Sequence, residues 1–220
     1  MGQTVHSQDT SANVVCFGEA LLDRLGPLGG NPSTDQPVQD CLGGAPANVA
    51  CALARLGTKV AFVGRLGDDQ IGTLFRNLMI ERGVDISGLQ IDQKLPSRIV
   101  LVRRDIHGER SFAGFAGDRG DGFADGAIDL QGFVEDWPAI ASQAKWLLVG
   151  TIPLASGSSS KSLLWGLKQA SEVGIRIALD VNWRSIFWDP NASADMGPSD
   201  FAKDSIQPLL EIASLLKLSK

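Results

Sequence analysis

The stretch Cys41-Leu42-Gly43-Gly44-Ala45-Pro46-Ala47-Asn48-Val49-Ala50 sets paired glycines and an asparagine at the mouth of a helix, and Phe17-Gly18-Glu19-Ala20-Leu21-Leu22-Asp23 brings a carboxylate upstream of it. A carboxylate accepts hydrogen bonds from two adjacent hydroxyls, and an asparagine amide both donates and accepts. Glycine lets a ligand touch backbone where a Cβ would intervene. Asp23, Gly43, Gly44 and Asn48 are therefore candidates for holding a polyhydroxylated ligand. Farther on, Leu179-Asp180-Val181-Asn182-Trp183-Arg184 places Asn182 and Arg184 after a strand. Open parallel sheets bind ligands beyond such strand ends. Each residue also has a plainer reading. Asp23 alone is a solvated loop acid or helix-start residue, a glycine pair is a tight turn, and Arg184 equally suits a surface carboxylate. The ordered context gives the set its weight.

The elements that must position these residues can be read from periodicity. Residues 13–18 form an apolar run ending at glycine, the pattern of a buried parallel strand, which delivers Glu19 and Asp23 into a loop or first helical turn. Val49, Leu53 and Leu56 recur at helical spacing, with Pro46 suited to the first helical position and Gly57 to the position past the end. Residues 59–63 read as the next strand. Residues 63–69 then form a strand-to-helix turn in which Asp68 caps a helix carrying Ile71, Leu74, Phe75, Leu78 and Met79, stopped by Gly83. The rhythm resumes with a strand at 146–149, a helix at 161–173, a strand at 175–181, a helix around 209–213 and a strand at 215–218. Such alternation predicts an α/β fold with a central parallel sheet covered by helices. Residues 98–104 and 109–115 flank Asp105-Ile106-His107-Gly108 and read as a hairpin, and the glycine- and aspartate-rich residues 114–129 read as a mobile surface connection.

At 220 residues and 44% hydrophobic content, one main domain is the default. The net charge of -5 argues against a nucleic-acid partner, which would be met by clustered Lys and Arg. Cys16, Cys41 and Cys51 are odd in number and lack CxxC spacing, so they read as reduced thiols in a cytoplasmic protein. Residues 1–12 lack a basic n-region and an apolar h-region and read as a flexible tail. The aliphatic runs are far shorter than the roughly 20 residues a membrane helix needs, so no membrane partner is expected. His6 and His107 lack the company for a triad or a metal cluster, and no metal ligand is assigned. The tryptophans read as core residues, because no basic stripe accompanies them.

From about Asn13 onward these motifs, with Val63-Gly64-Arg65-Leu66-Gly67-Asp68-Asp69, resemble the N-terminal portion of the PfkB, or ribokinase-like, carbohydrate kinases. The Gly-Gly-Ala-Pro and Glu-Ala-Leu-Leu-Asp forms are similar to fructokinases. The resemblance implies a ribokinase-like three-layer core with a mainly parallel sheet and a small β-sheet lid, whose strands come from about 25–41 and 98–115, over a domain spanning 13–220. It implies sugar contacts at Asp23, Gly43, Gly44 and Asn48, and positions Asn182 and Arg184 near the phosphate path. Lys217-Leu218-Ser219-Lys220 resembles the start of the family's Asn-x-x-Glu region, with Ser219 in the Asn position. ATP and Mg2+ follow as cofactors, and a sugar, fructose first, as the small-molecule substrate.

The family also needs a later Gly-Ala-Gly-Asp segment, whose aspartate takes the proton from the sugar hydroxyl and whose glycine amides form an anion hole. No such segment occurs in these 220 residues, so no catalytic residue is assigned and the C-terminal part of the fold reads as missing. The alternative function is a non-catalytic sugar-binding or interaction fragment, and self-association through the lid or an exposed sheet edge is a possible consequence. A nicotinamide-dependent oxidoreductase would carry Gly-x-Gly-x-x-Gly where residues 18–23 stand, and a P-loop ATPase would carry Gly-x-x-x-x-Gly-Lys-Ser/Thr; neither is present.

Overall fold

A computed structural model of the chain describes residues 12–118, 120–193 and 195–218. The expected tail, apart from Ala12, and Ser219 lie outside the described residues. The central sheet contains β1 (Val14–Phe17), β4 (Val60–Gly67), β5 (Leu89–Asp92), β8 (Trp146–Gly150), β9 (Arg176–Asp180) and β10 (Ala213–Lys217). Its order is β10-β9-β8-β1-β4-β5, and every pairing is parallel. Helices α1 (Ala45–Arg55) and α2 (Gln70–Arg82) cover one face, while α3 (Leu130–Ala141), α4 (Gly157–Glu172) and α6 (Asp200–Ile212) cover the other. Side-chain alternation along the strands feeds both layers. Cys16 and Phe62 pack toward α1 and α2 with Ala50, Phe75 and Met79. Val15, Phe17 and Val63 pack the other way with Phe133, Leu163 and Leu209. On that second side Phe133 meets Phe17, Trp137 and Trp165 at ring-centroid distances of 5.4, 5.5 and 5.3 Å. The result is a three-layer α/β core.

A second sheet of four strands, in the order β3-β2-β6-β7, stands apart from the first. It is built from β2 (Leu21–Leu28), β3 (Gln39–Gly43), β6 (Ile99–Arg104) and β7 (Arg110–Ala116). The β2–β6 pairing is parallel and the other two are antiparallel. Leu21, Leu25, Val100 and Val102 form its own small apolar cluster, closed by Phe112, Phe115 and Phe187. The hairpin of residues 98–115 is present as β6 and β7. On the other side the strands reach beyond the expected 25–41, since β3 runs to Gly43 and β2 already begins at Leu21, four residues after β1 ends at Phe17. Asp23 consequently lies in a strand, and not in a loop or a first helical turn.

Several local expectations are corrected. Asp69, and not Asp68, caps α2, accepting from the Gly72 amide at 2.8 Å. Asp69 also accepts from the Ser97 amide and hydroxyl, so it ties the helix to the segment entering β6. Helix α4 starts earlier, at Gly157, α6 starts at Asp200, and β10 starts at Ala213. Residues 114–129 are not a surface connection throughout: Phe123, Ala124, Asp125 and Ile128 are buried, and 3-10 geometry runs over Ala124–Ala127. Strand β5, helix α3 and the short α5 (Ser185–Trp188) lie where periodicity gave no assignment. Cys16, Cys41 and Cys51 are free, and among the described residues no helix is long and apolar enough to cross a membrane.

Candidate functional site

The strand order reverses direction between β1 and β8: after β1 the chain builds outward through β4 and β5, then returns to build β8, β9 and β10 on the opposite side. Crevices beyond the carboxyl ends of strands at such a reversal are where open parallel sheets bind ligands. Here the end of β1 leads through Glu19 into the small sheet, and the end of β8 leads through Thr151 into a turn over Ile152–Ala155. The Thr151 hydroxyl donates to the Val181 carbonyl, which fixes the chain leaving β9 just before Asn182, a residue with positive φ of 32°. The small sheet overhangs this point.

Under the overhang lies a cavity of about 210 Å3. Asp23 enters it from β2, Gly44 and Asn48 from the start of α1, and Asn182 and Arg184 from the segment after β9, with Phe112 of β7 as an apolar wall. Asp23, Phe112 and Arg184 also line a neighbouring cavity of about 290 Å3, so the two form one cleft. Among the described residues the side chains of Asp23, Asn48 and Asn182 make no hydrogen bond to protein. They are therefore available to a ligand that both donates and accepts, as a sugar does. Burial raises the Asp23 carboxyl above its ordinary value, while the guanidinium groups of Arg110 and Arg184 pull it back down. Arg184 donates to the Trp183 carbonyl at 2.7 Å and stands 5.5 Å from the Phe112 ring centroid.

Of the residues expected at the site, five converge on this cavity: Asp23, Gly44, Asn48, Asn182 and Arg184. Gly43 does not line it. A Cβ there would stand 2.5 Å from Asp23 Oδ2, so Gly43 makes room for the carboxylate from the adjacent strand. Arg184, expected near a phosphate path, also borders the same cavity as Asp23. Two residues that sequence reasoning did not assign complete the picture. Glu19 is 3% exposed and underlies the start of α1, where its Oε1 accepts from the Ala45 amide at 3.1 Å.

Arg98, immediately before β6, is the second, and it joins the small sheet to the core. Both ends of its guanidinium donate to Asp125, each at 2.8 Å, and the side chains are only 11% and 3% exposed. Phe115 of β7, Phe123 and Phe187 of α5 surround its Cζ at 4.8, 4.4 and 4.8 Å from their ring centroids. Cation–π contacts of a desolvated guanidinium add to a bidentate ion pair. Phe187 also lines the cavity, so this cage forms part of its wall. Among the described residues no group of three or more His, Cys, Asp or Glu is placed to hold a metal ion.

Comparisons with known proteins agree with this architecture. The model for the pfkB family of carbohydrate kinases matches residues 11–220. A fructokinase of Klebsiella pneumoniae is 32% identical over 204 residues, which are 93% of this chain and 59% of that protein. Among solved structures, a fructokinase from Xylella fastidiosa with bound ATP superposes with a TM-score of 0.73 at 30% identity, covering 93% of this chain and 60% of that one. A fructokinase from Vibrio cholerae O395 in a form with fructose, ADP and calcium superposes with a TM-score of 0.75 at 29% identity, covering 95% and 60%. The chain thus spans about three-fifths of the length of these relatives.

Proposed function

Because the chain belongs to the pfkB family of carbohydrate kinases, we propose that it supplies the sugar-binding side of an enzyme that phosphorylates a sugar hydroxyl with ATP, with fructose as the substrate. The observation that carries this reading is the convergence of Asp23, Asn48 and Asn182, none hydrogen-bonded to protein among the described residues, on one cavity at the strand-order reversal. Asp23 accepts from adjacent hydroxyls of the ring, Asn48 and Asn182 donate and accept at its edge, and the backbone at Gly44 lies close because no Cβ intervenes. Phe112 packs against an apolar face of the sugar and excludes water from that side.

ATP, when bound with Mg2+, supplies the phosphoryl group. Arg184 and Asn182 are the residues of this chain placed to meet its negative charge, and the donor set fits that task, since Arg184 has no carboxylate partner within ion-pair distance among the described residues. The proton acceptor for the sugar hydroxyl is assigned to the portion of the relatives that this chain does not span. Support for fructose comes from the fructokinases among the relatives and from the Vibrio cholerae form with fructose bound.

Calorimetric titration of fructose into the 220-residue chain tests the reading. Saturable binding is expected, weakened by about 10- to 100-fold in Asp23→Ala, because hydrogen bonds to a charged group contribute roughly 1.5–3 kcal/mol. Absence of saturable binding, or equal affinity in Asp23→Ala, would overturn the assignment.

A further inference from the structure

Glu19 has no part in the binding scheme above, yet its surroundings are unusual for a carboxyl. Oε1 holds the Ala45 amide at the first residue of α1, between Gly44 and Asn48. Oε2 is enclosed and, among the described residues, has no hydrogen-bond partner. Beyond it is the end of β8: a Cβ added to Gly150 would stand 3.9 Å from Oε2 and 3.8 Å from the Asp180 carbonyl oxygen. An ionised carboxylate with one oxygen unpartnered and shielded from solvent is strongly disfavoured, whereas the neutral acid is much less so. The start of α1 opposes this, since a helix N-terminus favours negative charge.

The surrounding charges come from every element packed nearby. Asp125, from the 3-10 turn, disfavours ionisation, and Arg98, before β6, favours it. Asp23 of β2 and Arg184 beside α5 share the cavity with Glu19. Asp180 at the end of β9 is engaged by Lys217 of β10 at 2.7 Å. Burial outweighs the rest and pushes the Glu19 carboxyl up to about 7.

On the sugar-cleft reading above, we infer that Glu19 is a positioning residue of the cleft: in its neutral form it fixes the start of α1, and with it Gly44 and Asn48, against the ligand, and its ionisation loosens that arrangement. Ionised, Oε2 needs a partner that the packing lacks, so water must enter or the helix start must shift. Sugar affinity therefore falls by about three- to tenfold between about pH 6 and about pH 8, a window in which arginine does not titrate. The sign is diagnostic, because deprotonation of Asp23 would strengthen its acceptance from hydroxyls and raise affinity with pH. Stability follows the same direction. The contribution of Glu19 is fully present below its ordinary value of 4.5 and is lost as pH rises through about 7.

The test is a carbon-13 carboxyl titration of the glutamates in the whole chain, with the Glu19 signal assigned by its loss in Glu19→Gln. Fructose titrations across the same pH range use the wild type, Glu19→Gln and Glu19→Ala. The expected results are a Glu19 midpoint near 7, amide shifts of Gly44, Ala45 and Asn48 that track it, and a pH-dependent affinity that Glu19→Gln flattens. Glu19→Gln also recovers affinity lost in Glu19→Ala. A midpoint near 4.5, or a pH dependence that persists in Glu19→Gln, overturns the inference. If fructose binds at no pH, the sugar reading fails on its own, and the amide shifts still decide the role of Glu19: tracking the carboxyl supports it, and independence from the carboxyl refutes it.

Discussion

Replacing Arg98 with alanine is expected to destabilise the folded chain by about 3–5 kcal/mol, the loss associated with removing one partner of a buried ion pair. The guanidinium gives Asp125 two hydrogen bonds, and the Asp125 side chain is 3% exposed, so the carboxylate left behind loses both partners in a buried position. The cage of Phe115, Phe123 and Phe187 would also lose its centre. These rings come from the small sheet, from the segment before the 3-10 turn and from α5, so the variant should weaken the seating of the small sheet over the core in particular. Urea unfolding measures the first effect. Hydrogen exchange measures the second, as faster exchange in β2 and β6 than in β1 and β4. A double-mutant cycle with Asp125→Ala should show strong coupling, since removing both partners leaves no orphaned charge. A loss below about 1 kcal/mol would place the pair among weak surface contacts and contradict the role given to it.

Gly44→Ala is the second change with a large expected effect. Gly44 precedes α1 with a φ of +95°, and a Cβ there would stand 2.5 Å from the Glu19 carbonyl oxygen and 3.0 Å from Ala20 Cα. Left-handed backbone costs an L-residue roughly 1–2 kcal/mol, and forcing atoms into a packed site costs roughly 1–3 more. Both neighbours are backbone and cannot rotate away. The helix start must shift, so fructose affinity should fall by at least about tenfold even in the folded fraction, as misplaced binding groups lose their aligned contacts. Gly57→Ala is the control: its φ is +84°, but no atom lies within 4 Å of the added Cβ. That variant should lose about 1 kcal/mol of stability and keep its affinity. Equal behaviour of the two variants would show that the close approach at Gly44 is unimportant.

The core was legible because its signals are local. The apolar run before Gly18, and the Val49, Leu53, Leu56 spacing between Pro46 and Gly57, mark β1 and α1 without reference to anything distant. Other features depend on partners far along the chain. Asp125 is held by Arg98, 27 residues away, so the glycine- and aspartate-rich segment around it reads locally as a mobile surface connection. Glu19 is covered by the start of α1, 26 residues on, which no pattern near Glu19 announces. Between adjacent Asp68 and Asp69, composition could not choose the cap; the Ser97 amide and hydroxyl select Asp69. Helix α3 carries Gly132 and Pro138, both unfavourable in helix interiors, and its burial of Phe133, Trp137 and Ile140 overrides them. The short β5 has too few residues to establish a period, and its pairing with β4 is what defines it. At the site, Asp23, Gly44 and Asn48 were legible as chemistry, while the geometry that gathers them comes from the small sheet folding back over α1.

The most direct test of the central claim, that one cleft at the strand-order reversal receives the sugar, is an amide chemical-shift map of the nitrogen-15-labelled chain titrated with fructose. The account predicts saturable shifts clustered at Asp23, Gly44, Asn48 and Asn182, on three separate segments brought together by the fold. Shifts that do not saturate, or that cluster away from these residues, would contradict it.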